Sequence, residues 1–303
     1  MLYQRNHCLD CYSHSCSTLS SLFCTRRYNQ KDAFVLEIST AINMNIFKRY
    51  FLFKALNSAS KENAQNNITM AGFLNDHISL KIIIDGWFEK RELNALKSFF
   101  SQGNFSKALC LDIGANIGNH SLFFATIFKE VIAFEPYEKA FDLLKINSSQ
   151  VDNIQVNNFG FSDASRELPA QIVFGNIGAT SIVSSPEQSN TILKVETLDS
   201  FVNENSLEGI SFIKIDVEGH EYSVLVGAED TLKKENAVIS LELEMTNYYE
   251  NCIESINFLK SCGYSEAHIL KNSFSGAISS NFKKTSIDNF LKLPRKRHKM
   301  VLS

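Results

Sequence analysis

The stretch ALCLDIGANIGNHSLFFA, residues 108–125, decides the fold. It opens as a short apolar run ending in a carboxylate, Asp112, and passes through Gly114 and Gly118 into a helix-patterned segment. A continuous apolar run of this length suits a strand covered on both faces. A pair of glycines between strand and helix lets the backbone turn tightly and approach a ligand closely. The N–H groups that open the helix then point into the crevice.

Working outward, the same alternation repeats. EVIAFEP (130–136), IQVNNFGFS (154–162), GISFIKID (209–216), AVISLELE (237–244) and YSEAHIL (264–270) read as strands, and a seventh is expected in DNFLKL (288–293). Helical spacing occupies Asn119–Phe128, Glu138–Asn147, Ser223–Lys233 and Glu254–Ser261. This order predicts an α/β fold, a largely parallel open sheet with helices on both faces. Upstream, ISLKIII (78–84) reads as strand and Lys90–Phe100 as helix. Residues 170–195, rich in Gly, Ser, Thr and Asn, read as a loop or hairpin over the cleft, with Gly178, Ala179, Thr180 and Ser181 facing substrate.

Composition excludes several classes. Of 303 residues, 44% are hydrophobic and 21% charged, too apolar for a disordered chain. Gly (13) and Pro (4) are too few for collagen-like or low-complexity sequence. The net charge of -3 hides an asymmetry: residues 1–70 are basic, 71–280 strongly acidic, and 281–303 basic again. An acidic body repels a phosphate backbone, so nucleic acid is not expected as a partner. Seven Cys, an odd number, with no apolar leader at the start, point to a reducing, cytoplasmic setting. His7, Cys8, Cys11, His14 and Cys16 lack the spacing of a zinc site.

Four segments are expected. Residues 1–43 read as a disordered extension or a mis-assigned start, ahead of Met44. Residues 44–70 read as a basic amphipathic helix, with apolar Ile46, Phe47, Tyr50, Phe51, Phe53 and Leu56, and a linker. That helix docks on its own domain or makes a peripheral membrane contact through residues 46–56. Residues 71–294 form the main domain, and 295–303 a basic tail.

In an open parallel sheet, ligands bind beyond the carboxyl ends of the strands. Glu135 ends the second strand, where a carboxylate accepts both hydroxyls of a ribose. Dinucleotide-binding proteins share that acid, but their turn reads G-x-G-x-x-G. Here Asn116 stands where the second glycine should be. That disfavours a dehydrogenase and favours a nucleoside without pyrophosphate, such as S-adenosylmethionine.

Together, LDIGANIGNHSLFFA, VIAFEPYEKAFDLLKIN, GFSD, VETLDSF and FIKIDVEGHEYSVLVGA resemble the FkbM family of S-adenosylmethionine-dependent O-methyltransferases, over roughly residues 75–295. The resemblance implies a Rossmann-like class I methyltransferase fold of seven strands, the last antiparallel. It implies that Asp112, Gly114, Asn116 and Gly118, with Ala115 and Asn119 in the same turn, line the methionine end of the cofactor. Glu135, beside Pro136, would hold the ribose, and Ser162 and Asp163 the adenine side. Asp216 would lie beside the methyl group. The acceptor would be a hydroxyl of a carbohydrate, glycolipid or secondary metabolite.

Methyl transfer is an in-line displacement, and an alcohol acceptor needs a base. His220 is the natural base by its ordinary pKa, and Glu218 and Glu221 can orient it, bind the acceptor or neutralise the next helix start. Asp216, Glu218 and Glu242 can also gather a Mg²⁺-type ion, but carboxylates alone do not separate that role from the others, and no metal is assigned. A non-catalytic methyltransferase-like binding module is the competing reading.

Overall fold

The computed structural model describes residues 30–63, 69–103, 105–244, 249–270, 282–292 and 297–303. The early Cys and His residues lie outside them. The chain divides into two units, Met1–Lys54 and Ala55–Ser303. Helix α1 (Gln30–Asn63) crosses that boundary. It starts ahead of the expected helix and runs into the expected linker. Ile46, Phe47, Tyr50, Phe51, Leu52 and Phe53 are all exposed; taken over its whole length, the helix has no single apolar face. No helix among the described residues is long and apolar enough to cross a membrane.

Within Ala55–Ser303, α2 (His77–Asp85) and α3 (Lys90–Phe100) come first. The alternation follows: β1 (Leu109–Ile113), α4 (Asn119–Ala125), β2 (Glu130–Phe134), α5 (Glu138–Ser148) and β3 (Ile154–Asn157). Four short strands come next: β4 (Gly160–Phe161), β5 (Arg166–Gln171), β6 (Ser181–Ile182) and β7 (Thr191–Glu196). The chain then forms α6 (Leu198–Glu204), β8 (Ile210–Ile215), α7 (Glu221–Val226), α8 (Glu229–Glu235) and β9 (Val238–Glu244). It closes with α9 (Tyr249–Ser261), β10 (Glu266–Leu270), β11 (Phe282–Ser286), α10 (Ile287–Phe290) and β12 (Arg297–Leu302).

The main sheet has eight strands in the order β11-β10-β12-β9-β8-β1-β2-β3. The run β3-β2-β1-β8-β9 is parallel throughout. β12 enters antiparallel between β9 and β10, and β11 adds an antiparallel edge. The Rossmann-like α/β expectation therefore holds, with one strand more than the seven expected. A second sheet, β4-β7-β5-β6, takes in the 170–195 segment.

The central strands feed both faces. Leu111, Ile113, Ile213 and Ile215 join one apolar cluster, while Cys110, Val131, Phe212 and Val301 join another. Alternating side chains along buried strands produce this division. Asp112 and Lys214 share register across β1 and β8, so two charges sit side by side in an apolar layer.

Three expectations change. Residues 78–84 are helical, because the Asp76 side chain accepts from Ser79 N–H at 2.9 Å and Gly86 caps the far end. A cap of this kind satisfies an orphan N–H of the helix's first turn, which a strand would not leave. DNFLKL begins in helix α10, not in a strand. The basic tail is strand β12, with His298, Met300, Val301 and Leu302 buried.

Candidate active site

A cavity of about 280 Å³ opens at the carboxyl ends of β1, β2 and β8, where the sheet predicts a ligand. Gly114, Ala115, Asn116, Asn119, Glu135 and Pro136 line it, as do Asp216, Glu218 and His220. Asp112, Gly118, Ser162 and Asp163 do not line it.

The turn after β1 is held from below. Gly114 and Ala115 donate N–H bonds to Phe134 O. Gly114 has φ +78°, and a Cβ there would lie 2.0 Å from the Asp216 carbonyl oxygen. Only glycine lets β1 and β8 end this close together. Asn116 also adopts a left-handed φ of 50°. Its N–H reaches Glu135 Oε2 at 2.9 Å, and Tyr137 N–H reaches Oε1 at 2.8 Å. Each carboxylate oxygen keeps a second lone pair for a hydroxyl. Burial pushes the Glu135 carboxyl up to about 7.

Asp112 is a correction. Its carboxylate is fully buried, takes the Ser121 hydroxyl at 2.6 Å and lies 3.4 Å from Lys214 Nζ. Lys214 also approaches Asp216 at 3.3 Å and the Gly114 carbonyl at 3.4 Å. Burial opposes the Lys214 charge, but Asp216 and Asp112 outweigh it and raise its pKa. Burial likewise opposes the Asp216 charge, and Lys214 leads the cations that hold it below the usual range. Asp112 thus anchors a lysine under the turn and does not line the cavity. Gly118 is tight against Leu144, with a Cβ position 2.9 Å from Cδ1, and so serves packing.

His220 faces Ser162 and Asp163. Its Nε2 lies 2.9 Å from Ser162 Oγ, which donates to Asp163 Oδ1 at 2.8 Å, and Arg166 pairs with Asp163 at 2.6 Å. A hydroxyl has one proton, so Ser162 gives it to Asp163 and His220 Nε2 is the donor. The charges that bear on His220 are those of Asp163 and Arg166, and burial lowers its pKa. Glu221 accepts from Gly219 N–H at 3.0 Å, and burial pushes its carboxyl up to about 7.

Several residues near Asp216 escaped the sequence reading. Lys299 of β12 lies within a cage of Glu89, Glu92 (2.7 Å) and Glu242 (3.0 Å). Burial opposes the ammonium, and the three carboxylates hold its pKa well above the ordinary range. His120 Nε2 lies 3.7 Å from Glu89 Oε2. Ligand atoms of Glu89, Glu92 and His120 lie within 4.8 Å of one another, a spacing that suits a metal ion. The ammonium of Lys299 already contacts two of these carboxylates. One signal was available: Lys214 interrupts an apolar strand, and a buried charge requires a partner.

The methyltransferase FkbM domain family matches residues 112–266. Hexuronic acid methyltransferase AglP of Haloferax volcanii is 30% identical over 129 residues, covering 42% of this chain and 53% of that protein. AMB antimetabolite synthetase AmbE of Pseudomonas aeruginosa is 28% identical over 176 residues, 45% of this chain and 8% of that protein. The chain therefore spans about half the length of one curated relative and a small part of the other. A solved FkbM methyltransferase from Methylobacillus flagellatus aligns with a TM-score of 0.44 at 13% identity, covering 83% of this chain and 58% of that one. With the family matched across half of its length, and the turn and strand-end acid in place, the chain belongs to the methyltransferase FkbM domain family.

Proposed function

We propose that the protein transfers the methyl group of S-adenosylmethionine to a hydroxyl of a carbohydrate. The observation that carries this reading is Glu135: a buried carboxylate, oriented by two backbone N–H groups, facing a cavity at the strand ends. That arrangement suits a ribose diol. The Gly114 turn, where no Cβ fits, suits close approach of the cofactor's amino-acid portion. When bound, the cofactor supplies an activated methyl carbon. Family membership supports methyl transfer, and the Haloferax relative, named for hexuronic acid, supports a sugar acceptor.

The chain's own residues divide the work. Glu135 accepts the ribose hydroxyls. His220, held by Ser162 and through it by Asp163, walls the adenine side. Asp216, steadied by Lys214, and Glu218 orient the reacting end. The segment around Ile177, Gly178 and Thr180 walls the cavity and excludes water.

Titration calorimetry with S-adenosylmethionine, S-adenosylhomocysteine and NAD tests the site. Label transfer from methyl-labelled cofactor to glycan fractions tests the reaction. Binding of the first two ligands with label appearing on sugar is expected. Tight binding with no transfer to any fraction would leave the binding-module reading in its place.

A further inference from the structure

Beyond Asp216 the cavity meets Glu89, His120 and Glu242, which the reading above leaves without a task. Glu89 precedes α3 at φ 55° and ψ 35°, a left-handed conformation uncommon for a non-glycine residue. Such strain persists where the surroundings over-determine it. Here Asn119 does so: its Oδ1 accepts from Phe88 N–H at 2.9 Å, and its Nδ2 donates to Phe88 O at 3.1 Å. Asn119, expected at the cofactor, thus also positions the residue before Glu89.

The two ends of the Glu89 carboxylate differ. Oε1 contacts Lys299, while Oε2 faces His120 Nε2 across 3.7 Å. That gap is too long for a hydrogen bond. His120 Nε2 is buried and has no hydrogen-bond partner among the described residues. An oxygen about 2.8 Å from both atoms would close the gap. We propose that the acceptor hydroxyl sits between Glu89 Oε2 and His120 Nε2, and that Glu89 receives its proton.

The surroundings suit that role. Glu89 is faced by Glu92 of α3, His120 of α4, Lys214 and Asp216 at the end of β8, Glu242 of β9 and Lys299 of β12. Burial first, then Glu92, pushes the Glu89 carboxyl up to about 7. A base matched to neutral pH is the most effective. Burial, with Lys214 and Lys299, keeps His120 neutral. The hydroxyl turns its one proton to Glu89, so His120 Nε2 carries the ring N–H and donates to the hydroxyl oxygen. In the step, the acceptor O–H bond breaks and its proton passes to Glu89 Oε2. The oxygen's electron pair forms the bond to the methyl carbon, and the carbon–sulfur pair stays on sulfur. A carboxylate and a sulfonium charge vanish together, which a low-dielectric pocket favours.

This inference rests on the methyl-transfer reading, and its test separates the two. S-adenosylmethionine and S-adenosylhomocysteine differ only in the methyl group and its positive charge. Calorimetry near neutral pH, in two buffers of different ionisation enthalpy, counts the protons each releases. Glu89 beside the sulfonium makes the methylated ligand release more, and Glu89→Gln abolishes the difference. That variant also loses about 100-fold or more in methyl transfer, with S-adenosylhomocysteine affinity unchanged. Equal proton release by both ligands in the unaltered protein overturns the inference, however the variant folds. So does chelator-sensitive activity restored by Mg²⁺, which would make the cluster a metal centre. Failure of both ligands to bind instead removes the methyl-transfer reading itself.

Discussion

Replacing Lys299 by Met tests whether the last residues are a solvated tail or a structural strand. Lys299 is 17% exposed and touches Glu89, Glu92 and Glu242, which are 19%, 8% and 12% exposed. Methionine removes the cation and leaves three buried carboxylates facing one another. Removing one partner of a buried ion pair costs about 3–5 kcal/mol. With a urea slope of about 3 kcal/mol/M, the unfolding midpoint falls by about 1–2 M. The pH dependence has a definite sign. Burial already holds the Glu89 carboxyl up at about 7, and losing the ammonium raises it further. The folded variant then binds more protons than its unfolded chain, and its stability falls as pH rises. The deficit is therefore larger at about pH 8 than at about pH 6. Lys284→Met is the control, because Lys284 and Glu266 pair at 2.6 Å but are 61% and 43% exposed. It should cost under about 1 kcal/mol. A Lys299→Met deficit as small as the control's, and flat with pH, would refute the cage.

Glu135→Gln should weaken S-adenosylhomocysteine binding by about 10-fold or more, because hydrogen bonds to a charged group contribute about 1.5–3 kcal/mol, and calorimetry reads this directly. In the unaltered protein the same affinity should decline as pH falls below about 7, where Glu135 protonates and loses an acceptor, and level off above it. A pH-independent Kd would argue against ribose binding there. Gly114→Ala should lower stability by more than about 2 kcal/mol in urea unfolding, since its Cβ would meet the Asp216 carbonyl at 2.0 Å and its φ of +78° is strained for alanine. His220→Ala should raise the cofactor KM while leaving kcat near that of the unaltered protein; a collapse of kcat alone would restore His220 as the base.

The strands that carry the cofactor turn were readable because their signals are local. β1, β2 and β8 are largely apolar runs and β9 alternates apolar with polar residues, and patterns of that length between turn residues admit few other conformations. Residues 78–84 misled because three consecutive isoleucines suit a strand, while the deciding signals, Asp76 and Gly86, lie just outside the run. β12 misled because its two basic residues beside His298 look like a solvated end, although its neighbours β9 and β10 cover it on both edges. The direction of a side chain at a strand end was not readable either. Asp112 points down into the sheet at Lys214, and His220 turns to Ser162.

By itself, the sequence determined the parallel α/β plan, the glycine turn and the carboxylate at 135, since each depends on residues adjacent in the chain. Only the tertiary structure decided which charges meet. Glu89 lies before the first strand of the sheet, His120 just after it and Lys299 at the end of the chain, yet β12 enters between β9 and β10 and brings Lys299 to the Glu89 carboxylate opposite His120. Strand order and register arise from packing between distant segments, and no local pattern encodes them.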